Sequence, residues 1–189
     1  PELNTLCITD DDRGAGGLKQ KFRANMHAIY MLKKLEAQNR LATPGEQEVL
    51  SRYVGWGGIP QAFDSDRRDW HEEYEELQAA LDPEEYREAR ASTLNAFYTS
   101  PTVIKAMYQA LEQMGLTSGN MLEPSCGIGH FMGLIPESMS DVRMYGVELD
   151  SVSGRIAKQL YQKNNIAVQG FETTSFPDSF FDAVIGNVP

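Results

Sequence analysis

The chain has almost no cysteine. Cys7 and Cys126 are its only two. There is no Cys-x-x-Cys and no histidine cluster, which excludes a structural zinc site and points to a reducing compartment. No apolar run approaches the roughly 18 residues that a membrane-spanning helix needs. No signal peptide is visible, and the expected location is cytoplasmic. An excess of basic residues is also missing. The net charge of -10 argues against a chain that binds polyanions generally. No internal repeat is found. The chain opens on Pro1 rather than methionine, which suggests a fragment.

What is present is enough for a packed core. The 189 residues are 41% hydrophobic, room for one ordinary domain or two small ones. Charge is unevenly spread: residues 64–90 hold eleven Asp/Glu against four Arg, whereas residues 19–40 hold six Lys/Arg against one Glu. Residues 1 to about 17 are polar and glycine-rich and read as a flexible lead-in. From Leu18 to Arg40, Phe22, Met26, Ile29, Tyr30, Leu32 and Leu35 fall at helical spacing. Thr43-Pro44-Gly45-Glu46 is a capping-box start, predicting a helix to about Val54 that stops at Gly55-Trp56-Gly57-Gly58. Asp82-Pro83-Glu84-Glu85 is a second such start, predicting a helix toward Leu94. Residues 1–95 thus read as an N-terminal helical region.

From residue 96 to 189 the pattern alternates. Ser100-Pro101 caps a helix through Met114, and Met121-Leu122 is a short strand. A helix is predicted from Ile128 to about Ile135, a strand from Met144 to Val147, and a helix from Ser151 to Gln162. Ile166–Val168 and Phe181–Ile185 read as further strands. Alternation of this kind predicts a parallel sheet with crossover helices, an α/β fold whose ligands bind at the carboxyl ends of the strands. The chemistry-bearing motifs fall at such ends, or just before the first strand.

The first motif is Leu122-Glu123-Pro124-Ser125-Cys126-Gly127-Ile128-Gly129-His130-Phe131. A strand ending in a glycine turn lets backbone N–H groups approach a ligand, because glycine has no Cβ in the way. A dinucleotide fingerprint needs Gly-x-Gly-x-x-Gly; here Gly133 comes one position late, and Glu123 stands four positions before Gly127. Both details favour S-adenosylmethionine. Glu148 ends a strand about 20 residues on, where nucleotide-binding sheets place an acid for the ribose hydroxyls. Asp150 is its rival, and Leu149 would pack on the adenine. Tyr98-Thr99-Ser100-Pro101 precedes the first strand; Ser100 reads as an N-cap, and Thr99 with its neighbours would hold the methionine end. Asn187-Val188-Pro189 follows an apolar strand. Its amide and backbone carbonyls could accept hydrogen bonds from an adenine amine and aim the nitrogen lone pair at a methyl group. Trp56 between its glycines reads as a core plug rather than a base-stacking platform. Lys19, Lys21, Arg23, Lys33 and Lys34 read as solvated helix charge rather than phosphate contacts.

In this order, the motifs at Tyr98–Pro101, Glu123–Gly129, Glu148–Asp150 and Gly186–Pro189 resemble those of adenine-N6 DNA methyltransferases in which the cofactor-loop motif comes first. The likeness is greatest to the methylase region of the large methylase–helicase proteins of bacterial conjugative elements and phages. Phe22-Arg23-Ala24-Asn25, Tyr53–Gly58 and Arg155–Tyr161 share it. The resemblance implies a Rossmann-like fold, C-terminally truncated here, that takes S-adenosylmethionine. The implied cofactor residues are Tyr98, Thr99, Pro101, Glu123, Pro124, Ser125, Cys126, Gly127, Gly129, Phe131, Glu148, Leu149, Phe171 and Glu172. The implied catalytic residues are Asn187, Val188 and Pro189, with no metal. Implied partners are DNA, bound by the full-length protein, and a downstream helicase-like region of the same polypeptide in a bacterial cytoplasm; no membrane is involved. The family's usual Asn-Pro-Pro-aromatic loop has Val188 at its first proline and lacks the aromatic, so this chain alone is expected to be inactive. Two alternatives stay open: methylation of protein glutamine or RNA amines, and a degenerate cofactor-binding scaffold.

Overall fold

The computed structural model describes residues 2–8, 16–94 and 99–187. Tyr98, Val188 and Pro189, and the expected boundary at residues 95 and 96, lie outside them. Helix α1 (Leu18–Ala37) buries Phe22, Met26, Ile29, Leu32 and Leu35 on one face. Helix α2 (Pro44–Leu50) starts at the Thr43 capping box, where the Thr43 side chain accepts from Glu46 N–H. It ends four residues earlier than its sequence predicts, because the chain must turn to bury Tyr53 and Trp56. Helix α3 (His71–Ala80) has a single buried residue, Leu77. Sequence periodicity missed this helix, since one apolar contact leaves no stripe to read. Helix α4 (Pro83–Ser92) is capped by Asp82, which accepts from Glu84 and Glu85 N–H.

The remaining elements make the α/β part. Helix α5 (Pro101–Gln113) is capped by Ser100 and followed by β1 (Ser118–Glu123). The glycine turn then leads into α6 (His130–Gly133), a single turn rather than the eight-residue helix predicted. Strand β2 (Asp141–Glu148), α7 (Ser151–Leu160), β3 (Asn165–Val168) and β4 (Ala183–Val184) complete it. The sheet order is β3-β2-β1-β4, and every pair is parallel. This is an α/β architecture compatible with a Rossmann-like methyltransferase fold. Strand order reverses at β1, so a crevice opens at the carboxyl ends of β1 and its neighbours.

The helices at 18–92 are welded to the sheet through α7, which packs on β2 and β3 and receives α1, α2 and α4 on its other side. Buried Gln47 donates to the Gln159 carbonyl at 2.9 Å and the Leu160 carbonyl at 3.1 Å, satisfying acceptors that a helix end leaves open. Arg155 bridges Glu36 at 2.6 Å and Glu85 at 3.2 Å. One continuous hydrophobic core runs from Phe22 through Trp56 to Ile156 and Met144. Trp56 is fully buried, edge-on to Phe22, Tyr53 and Phe63, so it plugs the core.

Two expectations are corrected. The segment before α1 is not a loose lead-in throughout. Residues 2–8 form a strap: Leu6 N–H donates to the Leu160 carbonyl at 2.9 Å, Ile8 N–H to the Gly133 carbonyl at 3.0 Å, and Thr5 makes an antiparallel bridge with Tyr161. Leu6 and Ile8 are buried. The basic face of α1 is not simply solvated either. Lys19 pairs with Glu73 at 2.7 Å, Arg23 with Glu76, and Lys33 with Glu85 at 2.8 Å. The acidic stretch at 64–90 folds back to neutralise the basic one.

Candidate functional site

A cavity of about 570 Å³ lies at the carboxyl edge of the sheet, within the size range of small-molecule sites. Each strand delivers its motif there. Strand β1 ends at Glu123 and runs into Pro124, Ser125, Cys126 and Gly127, all of which line the cavity. Gly127 takes φ 56 and Gly129 φ 91, conformations that favour glycine. Their roles differ. A Cβ on Gly127 would meet nothing within 4 Å, so its open side faces space for a ligand. A Cβ on Gly129 would come within 2.5 Å of the Tyr161 ring. Gly129 is absent from the lining and serves packing.

Strand β2 delivers Glu148. Its Oε2 accepts from Gly127 N–H at 2.6 Å and its Oε1 from Asp150 N–H at 2.9 Å. These bonds tie the two motifs together and leave each oxygen capacity for one more donor. Asp150 caps α7 through Oδ2, accepting from Ser153 N–H at 3.1 Å, while its Oδ1 is buried without a hydrogen-bond partner among the described residues, so the rival carboxylate keeps a bare oxygen at the cavity. Leu149 and Phe171 flank the mouth at 67% and 48% exposure. Two large apolar side chains left uncovered at a pocket rim suit insertion of a flat ring between them. Thr99, Phe131, Glu172 and Asn187 also line the cavity. Pro101 does not; it occupies the first turn of α5, where its missing N–H costs nothing.

Sequence reasoning missed one whole wall. Tyr53, Val54 and Gly55, with Glu88, Ala91 and Ser92 of α4, line the cavity from the helical side. Only the Gly55–Gly58 turn carried a signal, and it was read as a core plug. Glu88 carried none, because its place depends on how α4 meets α7.

The electrostatics are one-sided. The charged lining residues are five carboxylates, Glu88, Glu123, Glu148, Asp150 and Glu172, and no Lys or Arg joins them among the described residues. Burial, reinforced by the nearby Glu148, pushes the Glu123 carboxyl well above its ordinary range. Its Oε2 is buried without a hydrogen-bond partner. Burial also raises Glu148, against the pull of its backbone donors, and raises Asp150. Ionised, these carboxylates would disfavour a phosphate-bearing ligand; His130 and the backbone N–H groups of the glycine turn are the lining groups of opposite polarity. Among the described residues, no group of His, Cys, Asp and Glu is placed to hold a metal ion. The charged part of the lining is carboxylate, and two exposed apolar side chains stand at the mouth.

No known family profile matches the chain. It is 27% identical over 168 residues, 88% of its length, to the defense against restriction protein B of Escherichia phage P1. It is 34% identical over 93 residues to the type II methyltransferase M.CvrRI of Paramecium bursaria Chlorella virus XZ-6E. It is 29% identical over 101 residues to the modification methylase CviBIII of Paramecium bursaria Chlorella virus NC1A. The chain spans 6%, 24% and 27% of these relatives' own lengths. No helix among the described residues is long and apolar enough to cross a membrane. Over about half its length, therefore, this chain is similar to methyltransferases, and the α/β sheet with its ligand-sized cavity agrees with that class.

Proposed function

We propose that this chain carries the S-adenosylmethionine pocket of a DNA adenine-N6 methyltransferase. The observation that carries the reading is the anionic cavity. S-adenosylmethionine bears a sulfonium and an ammonium against one carboxylate, and its adenosine supplies the flat ring. The residues present fit it. Glu123, whose Oε2 is buried without a hydrogen-bond partner among the described residues, can take the ammonium. Glu148 can accept from the ribose hydroxyls, Leu149 and Phe171 can sandwich the adenine, and Thr99 and the Gly127 turn can hold the amino-acid end.

When bound, the cofactor supplies an electrophilic methyl group. The chain's contribution is orientation and charge. Asn187, exposed at the cavity rim, offers a carbonyl acceptor to the amine of the target base. An exocyclic adenine amine is a poor nucleophile because its lone pair is delocalised into the ring. Accepting its hydrogens favours a more pyramidal nitrogen. Val188 keeps the backbone carbonyl that the second contact needs. The DNA target itself would be engaged by the whole protein, since Lys19, Arg23 and Lys33 are already paired within this chain.

Calorimetric titration of the chain with S-adenosylmethionine tests the pocket. Glu148→Ala is expected to abolish most binding; equal affinity in that variant would sink the assignment. In the whole protein, Asn187→Ala should remove labelled methyl transfer to unmethylated DNA while leaving cofactor affinity nearly intact.

A further inference from the structure

The pocket is not made by the sheet alone. Its helical wall lies beside the β2–α7 junction: Tyr53 lines the same cavity as Asp150 and Glu148, and Glu88 Oε2 accepts from Ser151 N–H at 2.9 Å. The other Glu88 oxygen carries no hydrogen bond among the described residues, and the side chain is half-buried at the cavity. The turn at Tyr53–Gly55 is held by one residue of α1. Fully buried Asn25 donates from Nδ2 to the Gly55 carbonyl at 2.6 Å and accepts at Oδ1 from Val54 N–H at 2.8 Å. Both ends of one amide are thus used to fix the peptide groups on either side of the Val54–Gly55 link. Gly55 has φ 71, a turn conformation that glycine adopts without strain.

From this placement we infer that the helices at 18–92 form the nucleoside end of the binding site. Glu88 is a second carboxylate acceptor for a hydroxyl or amine hydrogen of the nucleoside, opposite Glu148. The Tyr53–Gly55 turn is the wall behind it, and Asn25 is its positioning residue. The inference rests on the S-adenosylmethionine reading for the identity of the ligand. It adds a specific consequence: ligand binding bridges α4 and the β2–α7 junction, so the helical part belongs to the site and does more than support it.

The test compares two probes, S-adenosylhomocysteine and adenosine, titrated into the whole chain. Glu88→Gln is the informative variant, because the amide keeps an oxygen for Ser151 N–H and replaces only the unpaired acceptor. The expected result is a loss of about tenfold in affinity for both probes alike, with an unchanged melting temperature. Asn25→Asp, which keeps the acceptor for Val54 but loses the donor to Gly55, should weaken both probes by a similar ratio. It should also speed hydrogen exchange at Val54. Parental affinity in Glu88→Gln would overturn the proposal. So would a loss for S-adenosylhomocysteine without one for adenosine, since that places Glu88 at the amino-acid end. If the parent chain binds neither probe, the cofactor reading fails first and the proposal falls with it.

Discussion

Around α1 the acids have cations. Glu76 meets Arg23, which with the Tyr30 hydroxyl holds its carboxyl below the usual range, and Glu85 lies between Lys33 and Arg155. At the carboxyl ends of β1 and β2 the same residue types make no ion pair among the described residues, and only Asp150 feels a cation, Arg155, which is itself paired with Glu36 and Glu85. Glu123 is buried next to the half-buried Glu148, which adjoins half-buried Asp150, and all three are pushed upward. Paired charges near a surface contribute modestly to stability. Unpaired buried ones oppose it. Carboxyls without a partner hold on to their protons instead, so the contrast separates acids that stabilise the fold from acids whose charge the chain leaves uncompensated.

The largest expected effect strikes the stabilising side. Trp56→Ala should cost about 3–5 kcal/mol of unfolding free energy, because the indole is fully buried and edge-on to three aromatic rings. Denaturant unfolding followed by circular dichroism would measure it. The core is continuous through α7, so helices and sheet should still melt in one transition. Two transitions would show that the helical part folds apart from the sheet, and the contrast would then be between independent units.

The second effect strikes the binding side. Glu123→Gln removes the ionisable carboxyl while keeping shape. Affinity for S-adenosylmethionine should fall about tenfold or more, since a charge-assisted hydrogen bond contributes about 1.5–3 kcal/mol. Stability without ligand should stay level or rise, because an unpartnered carboxyl is relieved. A variant that lost stability and kept its affinity would reverse the assignment of roles.

Much of this division was legible in the sequence where the signal was local. The capping boxes at Thr43 and Asp82, the Ser100 cap and the glycine turn each sit within a few residues of what they control. Their side-chain bonds appear in the structure. The carboxyl-end placement of Glu123 and Glu148 followed from the βα alternation. What was not legible depends on long-range meetings. The strap at Leu6 and Ile8 is an apolar pair in a polar segment, and only its partners at Leu160 and Gly133 give it order. Helix α3 is held by Leu77 and by ion pairs to α1, not by a stripe. Gly129 reads like its neighbour Gly127, yet Tyr161, 32 positions away, gives it a packing role.

A third, smaller effect is the response of the unliganded chain to pH. Glu123, Glu148 and Asp150 have raised folded-state values, so the folded chain holds protons that the unfolded chain releases from about pH 4–4.5 upward. Their favourable contribution is complete below that range and is lost as pH rises through the folded values. The melting temperature should therefore decline with rising pH, by about 2–4 °C for each kcal/mol lost in a chain of this size. The Glu123→Gln variant should show a shallower decline. Affinity for a cationic ligand should move the other way, rising with pH as the carboxylates ionise. A melting temperature that rose across this window in the parent and the variant alike would remove the sheet edge as its source.

The smallest effect has the opposite sign and comes from the helical part. Arg40 grips Glu46 with two bonds, at 2.6 and 2.7 Å, while Thr43 N–H donates to the same carboxylate at 3.0 Å. The guanidinium, with that backbone donor, holds the Glu46 carboxyl at about 2. The Arg40 side chain is 37% exposed, so solvent screens the pair, and Arg40→Ala should cost little stability. A depressed folded value gives stability that is complete above the unfolded value and lost as pH falls toward the folded one. The difference between parent and variant should accordingly be full above about pH 4.5, shrink on acidification, and vanish near pH 2. High salt should shrink it as well. Chemical unfolding of the two proteins across that range measures the difference directly. A gap that widened as pH fell would mean that Glu46 behaves like Glu123, and the division between paired acids that stabilise and bare acids that bind would not hold.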